Sequence, residues 1–243
     1  MRGQVTFSQP EQKPPLEGLA FRAFWVFFGL MATSLVIYFV GLIYGEAFAD
    51  AGHSAKRDRH EIVIGNDVYS VPENMIRYAE ARTSGITGQL QLYMHWPTRD
   101  GYSREQANAF NEQNPDAMQV AFFNISQRSS ILDMRDRLDA VYAKAIEGEP
   151  KDIFNGLKVS KLKASLGFVD EVLVYAPSRT GKPHFVARCI TSAEETVLAA
   201  CETEFFSGQT SQIRVRFPAH FLKSWRSLTT EFETVIANFR AEA

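Results

Sequence analysis

A surplus of basic residues is absent from this sequence. Its 243 residues include 26 Lys and Arg against 28 Asp and Glu, which gives a formal net charge of −2. Domains that bind nucleic acids usually carry a clear excess of Lys and Arg, because they must neutralise phosphates. The composition therefore argues against nucleic acid as a partner.

Motifs for nucleophilic or phosphate chemistry are also missing. The sequence has no G-x-S-x-G element, and its Ser-x-x-Lys match, Ser160-Lys-Leu-Lys163, lacks the tripeptides that accompany such a site. Residues 177–183 imitate a phosphate-binding loop, but Ala176 stands where that loop needs glycine and Pro183 where it needs Ser or Thr. We interpret this stretch as a hairpin turn, and we predict no catalytic residue.

Cysteine is scarce, and no cluster of metal ligands is visible. His53 and His60 have no acid or cysteine at ligand spacing, so we predict solvated histidines and neither a metal nor a cofactor. Cys189 and Cys201 each adjoin a predicted strand, and in an oxidising compartment they would form one disulfide across neighbouring strands. Two buried thiols are the alternative, and a cytoplasmic domain would carry no disulfide.

A long uncharged run, residues 23–45, lies between Arg22 and Glu46. As a helix it would be about 34 Å long, enough to cross a hydrocarbon core of roughly 30 Å. Residues 1–22 contain three prolines and no apolar periodicity, which predicts a flexible tail too short to be an output domain. The sequence therefore predicts a single transmembrane helix whose partner is the lipid bilayer.

The same run allows two further interpretations. Residues 47–49, Ala-Phe-Ala, resemble a signal-peptidase site, but the run exceeds the roughly 7 to 15 apolar residues of a signal core, so we favour an uncleaved anchor. Gly41 and Gly45 form a G-x-x-x-G pair, a spacing that lets another helix approach closely. A homodimer through this helix is one possibility, and lipid-facing glycines without a role are the other.

The orientation of the helix is not decided by the count of flanking charges. Three basic residues lie on each side of the run, namely Arg2, Lys13 and Arg22 before it and Lys56, Arg57 and Arg59 after it. However, Arg22 abuts the run on one side, whereas Glu46 and Asp50 follow it on the other, and both cysteines lie in the large domain. We therefore predict a bacterial inner-membrane protein with a cytoplasmic N-terminus and a periplasmic domain.

Beyond the run, the pattern is typical of a polar stalk at 46–59 and one domain at 60–243. Strand signals predominate, with a hairpin signature at Gly65-Asn66-Asp67, strands near 89–97 and 118–125, and hairpins after Glu171. The expected fold class is α+β: one N-terminal transmembrane helix, then a largely antiparallel sheet domain carrying two helices.

The two helices of the domain are predicted from apolar residues spaced three or four apart. Ser130 is expected to cap an amphipathic middle helix with apolar positions at Ile131, Met134, Leu138, Val141, Tyr142 and Ala145. A last helix at about 219–240 carries the stripe Phe221, Trp225, Leu228, Phe232, Val235 and Phe239. We expect this stripe to pack on the sheet, and a face that binds a partner is the alternative.

Four segments carry a resemblance to a protein family. They are residues 64–77, 92–97, 100–103 and 185–189, and the first reads Ile-Gly-Asn-Asp-Val-Tyr-Ser-Val-Pro-Glu-Asn-Met-Ile-Arg. With them the chain resembles the single-pass, transmembrane-anchored proteins of alphaproteobacteria, a family without an established activity. The resemblance implies a bacterial inner membrane and a periplasmic domain, and it transfers no catalytic residue.

The function expected from these features is that of a membrane-tethered periplasmic binding or scaffold module that recognises an envelope protein and performs no catalysis. The alternatives are an envelope enzyme, hydrolase-like, with a dispersed site, and a periplasmic sensor that signals through a partner. A cleft with converging polar groups of perturbed pKa would favour the enzyme. A broad apolar patch would favour the binding module.

Overall fold

The computed structural model describes residues 16–178, 181–191 and 198–241, and the chain divides into two units between Ala49 and Asp50. The first unit contains one long helix, α1 (Leu16–Ala49). Its stretch Gly18–Leu42 is long and apolar enough to cross a membrane, a test that a signal sequence also passes. The helix extends beyond the predicted run at both ends.

The second unit confirms the α+β fold class, with antiparallel pairing throughout its main sheet. Its helices are α2 (Ala107–Asn111), α3 (Ala143–Ala145) and α4 (Trp225–Phe239). Its strands are β1 (Arg59–Ile64), β2 (Asp67–Pro72), β3 (Gly85–Ile86), β4 (Gln89–His95), β5 (Val120–Gln127), β6 (Ile146–Asp152), β7 (Lys158–Leu162), β8 (Glu171–Ala176), β9 (Phe185–Thr191), β10 (Leu198–Ser207) and β11 (Ser211–Pro218).

These strands form two sheets. The small sheet has the order β2-β1-β3, and the large sheet has the order β4-β5-β11-β10-β9-β8-β7-β6. The hairpin predicted at Gly65-Asn66-Asp67 is present, with Ile64 of β1 opposite Asp67 of β2. In the large sheet, β11 pairs with β5, so a strand from the C-terminal part of the chain lies between β5 and β10.

The chain between α1 and β1 differs from the predicted stalk. Residues 46–49 belong to α1, and residues 50–58 belong to the second unit. Asp50 is buried, and Arg104 donates two hydrogen bonds of 3.0 and 3.1 Å to its carboxylate. Further along, the amide of Asn74 donates to the carbonyl of Lys56 at 2.8 Å. A charge pair and backbone hydrogen bonds thus hold a segment that its composition marks as solvated.

The C-terminal helix covers one face of the large sheet, as predicted. Five of its side chains are buried: Trp225, Leu228, Phe232, Ile236 and Phe239. Phe232 lies at the centre of this core, with ring centroids 5.2 Å from Phe123 and 5.8 Å from Phe217. The stripe is therefore core rather than a free face, and Ile236 occupies the buried position that the sequence pattern assigned to Val235, which is half-buried.

The segment after Ser130 packs on the opposite face, but the predicted middle helix is shorter than expected. The hydroxyl of Ser130 accepts a bond from the amide of Leu132 at 3.1 Å, which closes a local turn instead of a helix start. Helical structure follows only at Leu138–Tyr142, as a π-helical turn, and at α3. Ile131 consequently remains 90% exposed, whereas Met134 and Tyr142 are buried against the sheet.

The large sheet ends at β6, whose outer edge meets no other strand among residues 16–178, 181–191 and 198–241. From Glu147 to Asp152 every residue of β6 is exposed, and Pro150 has no backbone N–H to donate to another strand. The pairing with β7 also shifts register between Glu147 and Lys151. Charged side chains, a proline and an irregular register are the features that protect exposed sheet edges from association.

Candidate binding cleft

A cleft of about 960 Å³ lies beside the β6 and β7 strands. Its apolar lining consists of Ile153, Phe154, Val159, Val172, Leu198 and Ala219, and its ionisable lining of Asp116, Glu147, Glu149, Lys151, Lys161, His220 and Lys223. The apolar residues other than Phe154 are buried or half-buried, whereas all seven ionisable residues are exposed. We call this the β6–β7 cleft, with an apolar floor and a charged rim.

Strand alternation explains how the floor forms. Successive residues of a strand point to opposite faces of a sheet, so Val159 and Lys161 share one face of β7 while Ser160 lies on the other. Lys161 pairs in register with Val172 of β8, which adds a second valine to the floor. Phe154 stands in the turn between β6 and β7 and remains 43% exposed, which places a large aromatic side chain at the cleft.

The predicted cysteine pair lies next to this floor. Cys189 and Cys201 are joined as a disulfide, and they are direct register partners on β9 and β10. Both cysteines are buried. Cys189 is also the register partner of Val172 on β8, so the disulfide, which joins β9 to β10, lies beside a residue of the cleft floor.

The electrostatics of the cleft combine both signs of charge. Three carboxylates and three lysines stand on the rim together with His220. Although His220 is exposed overall, partial loss of water around its ring lowers the pKa of His220 below its ordinary value, and the nearby Lys223 charge acts in the same direction, which favours a neutral imidazole. A surface with an apolar centre and a mixed charged rim suits contact with a protein segment better than contact with a polyanion.

The structure separates the other residues that the sequence singled out. Ser160 is buried in β7, while Lys163 Nζ donates to the carbonyl of Lys144 at 3.0 Å, so the Ser-x-x-Lys match forms no pair. The solvated state predicted for the two histidines is wrong: His53 Nδ1 lies 3.1 Å from the Tyr93 hydroxyl, and His60 pairs with a glutamate. Among the described residues, no group of three or more His, Cys, Asp or Glu side chains is arranged to hold a metal.

The two glycines of the predicted helix contact lie in the first unit. Gly41 is within α1, and a Cβ atom at that position would meet nothing within 4 Å. The surroundings of Gly45 fall outside what the structure describes. The close helix contact through these glycines therefore stays a prediction.

No protein-family model and no curated protein matches this chain. Its fold is similar to that of Smlt3025, an immunity protein of the Stenotrophomonas maltophilia type IV secretion system, with a TM-score of 0.54 and 15% identity over 79% of this chain and 96% of that one. The iron-regulated outer membrane lipoprotein FrpD of Neisseria meningitidis gives a TM-score of 0.47 and 9% identity over 77% of this chain and 94% of that one.

Sequence reasoning did not find the β6–β7 cleft. The stretch that supplies much of its lining contains Lys158, Lys161 and Lys163, and such a lysine-rich stretch is typical of a solvated strand face. One signal was available, because Ile153, Phe154 and Val159 are apolar residues set among these charges. These apolar residues indicate a cleft only together with residues such as Ala219 and His220, which come to line the same cleft through the pairing of distant strands.

Proposed function

We propose that this protein is a membrane-anchored module of the bacterial cell envelope that binds a partner protein through its folded domain and carries out no catalysis of its own. The observation that carries the proposal is the β6–β7 cleft, with its apolar floor and its exposed charges of both signs. Protein interfaces combine an apolar centre with a polar rim in the same way.

The placement in the envelope rests on two features of the chain. The stretch Gly18–Leu42 has the length and composition of a membrane span, and it serves in this proposal as an uncleaved inner-membrane anchor with its N-terminus in the cytoplasm. The Cys189–Cys201 disulfide supports an oxidising compartment for the domain, which in this setting is the periplasm.

The choice of a protein as the partner follows from the balance of charge at the cleft. A polyanion would meet Asp116, Glu147 and Glu149 as well as the lysines, and the carboxylates would repel it. A protein segment can instead place an apolar side chain on the floor beside Phe154 and pair its own charges with both signs on the rim.

Photo-crosslinking in intact cells tests the proposal. A photoreactive residue in place of Phe154, in the full-length chain, is expected to capture an envelope protein. The substitution Phe154→Asp should abolish recovery of that protein in a pull-down, because it places a charge against the apolar floor. The matched control is Ile131, a large apolar residue that is 90% exposed and lies outside the cleft.

Two results would overturn the proposal. One is capture at Ile131 as strong as capture at Phe154, since the cleft would then have no special role. The other is the absence of any captured partner together with turnover of a cell-wall substrate by the purified full-length protein, which would establish an envelope enzyme.

A further inference from the structure

A row of six register partners crosses the face of the large sheet that is opposite α4. From β4 to β8 its members are Tyr93, Phe122, Arg216, Glu202, Arg188 and Leu173. Arg214 lies on the same face, two residues before Arg216 on β11. We call Arg188, Glu202, Arg214 and Arg216 the arginine strip.

The two ends of this row are covered and its centre is open. Tyr93 is 1% exposed beneath the rings of His53 and Phe110, and Leu173 is fully buried beneath the segment that contains Met134. Between them, the side chain of Arg216 is 68% exposed. Within the part of the chain that the structure describes, the strip is therefore an exposed band between the two covered ends of the row.

The arginines of the strip share few carboxylates. Glu202 alone serves all three, with N···O distances of 3.5 Å to Arg188, 3.5 Å to Arg214 and 3.4 Å to Arg216. Short charge-assisted hydrogen bonds measure about 2.7 to 2.9 Å, and a guanidinium has five N–H donors. The strip therefore has donor capacity that its own glutamate does not use.

The neighbouring glutamates do not neutralise the positive charge of the arginine strip. Glu204, which lies 3.5 Å from Arg214, is buried and is also bound by Arg137 and by Gln212. Glu171 lies 3.4 Å from Arg188 and is its second partner. Four arginines, at positions 137, 188, 214 and 216, thus share three glutamates, at positions 171, 202 and 204. A fifth arginine, Arg77, is exposed and lies with its guanidinium 4.9 Å from the ring centroid of Phe122, next to Arg216 in register.

We propose that the arginine strip is a docking surface for an acidic segment of a protein partner. Arg214 and Arg216 are spaced by two strand residues, about 7 Å, which matches carboxylates on alternate residues of an extended segment. Guanidinium groups bind carboxylates through paired N–H donors, which gives such a contact both strength and direction. This surface is separate from the β6–β7 cleft, whose lining contains none of its residues.

An anionic membrane is the less suitable occupant of the strip. Glu202 and Glu171 stand among the arginines and would repel a uniformly negative surface. Individual carboxylates of a peptide can avoid these two positions while they bind the guanidinium groups.

The test measures binding of a labelled peptide of alternating Glu and Ala to the full-length chain in phosphatidylcholine nanodiscs. A peptide of alternating Lys and Ala is the control of opposite charge. The Glu-Ala peptide should bind, and binding should weaken about tenfold in Arg216→Glu and about tenfold between roughly 50 and 300 mM salt. Arg226→Glu is the matched control, because it reverses an exposed arginine on α4 and should leave binding unchanged.

Several outcomes would overturn the proposal: equal binding of both peptides, no effect of Arg216→Glu, or an equal effect of Arg226→Glu. Strip-dependent binding of phosphatidylglycerol vesicles without binding of the Glu-Ala peptide would assign the surface to a membrane instead. If Arg216→Glu lowers the thermal midpoint, Arg216→Gln replaces it, and a loss of about threefold is expected from removal of one charge. Peptide binding does not depend on Phe154, so failure at the cleft and failure at the strip are distinguishable.

Discussion

The hydroxyl of Ser211 donates a 2.8 Å hydrogen bond to the Asp67 carboxylate, and this bond joins the small sheet to the large one. The same carboxylate accepts bonds from the amides of Gln209 at 2.7 Å and Thr210 at 2.8 Å. Gly208 precedes them with φ +64°, and a Cβ atom there would collide with the carboxylate. Asp67 thus fixes the β1–β2 hairpin on the β10–β11 turn.

Replacement of Asp67 by alanine should lower the free energy of unfolding by about 3 kcal/mol, because it leaves two amides and a buried hydroxyl without their acceptor. Denaturant unfolding of the full-length chain in detergent measures the loss. Asp152→Ala is the control, since Asp152 is 80% exposed and should change stability by less than about 0.5 kcal/mol. Equal losses in the two variants would contradict the assigned role of Asp67.

Acidification should destabilise the domain in part through His53. Burial lowers the pKa of His53 below its ordinary value of 6.5, so the unfolded chain binds the proton more tightly than the folded one. The stability from this residue is full above about pH 6.5 and is lost as pH falls below it toward the folded pKa. The fall in thermal midpoint from pH 7.5 to 5.5 should therefore be smaller in His53→Gln than in the unmodified chain. An unchanged fall would refute this.

Reduction of the Cys189–Cys201 disulfide should lower stability by about 2 to 4 kcal/mol, because the unfolded chain regains the entropy of an open loop. Unfolding with and without dithiothreitol measures the difference. The double variant Cys189→Ala with Cys201→Ala should show the lower stability and no response to the reductant. A response in that variant would mean that reductant acts elsewhere.

Removing only the arginine from the ion pair between Arg137 and the buried Glu204 should lower the stability of the domain. Arg137→Ala is expected to lower the free energy of unfolding by about 1 to 3 kcal/mol, because it removes one cation from a carboxylate that is 3% exposed and leaves it with Gln212 and the more distant Arg214. Combining it with Glu204→Gln should recover part of the loss, since an amide needs no cation. A double variant less stable than Arg137→Ala would contradict the account.

The orientation of the chain is tested by fusions of a phosphatase that is active only in the periplasm. A fusion after Ala243 should be active and a fusion before Met1 inactive, because α1 is expected to leave only the N-terminal tail in the cytoplasm. The opposite pattern would place the domain in the cytoplasm and would remove the basis for the disulfide there.

Much of the secondary structure was predictable because its signals are local. The β1–β2 turn is marked by Gly65 and Asn66, and the core face of α4 by apolar residues from Trp225 to Phe239. The middle helix was misjudged at its start for an equally local reason. There the hydroxyl of Ser130 and the carboxylate of Asp133 bind nearby amides and form turns, which a helical spacing of apolar residues does not reveal.

The sites were less predictable than the elements, because they depend on contacts between distant parts of the chain. Arg188 and Arg216 lie on either side of Glu202 only through the pairing of β9, β10 and β11. Likewise, the buried Asp50 is paired with Arg104, whose place beside it is set by tertiary packing. Alternation of residues within a strand indicates which of them share a face, but it does not indicate which other strand will pair with that strand.

The form of β6 has a consequence wherever many copies of this domain are crowded together, as the proposed membrane anchor would cause. Identical molecules then meet often, and an open sheet edge is the part most prone to pair with the same edge of another copy. Pro150, together with Glu147, Glu149 and Lys151, offers a colliding copy no continuous ladder of donors and acceptors. Crowded copies would therefore stay apart, which leaves the surface of each domain free for the partner proposed above.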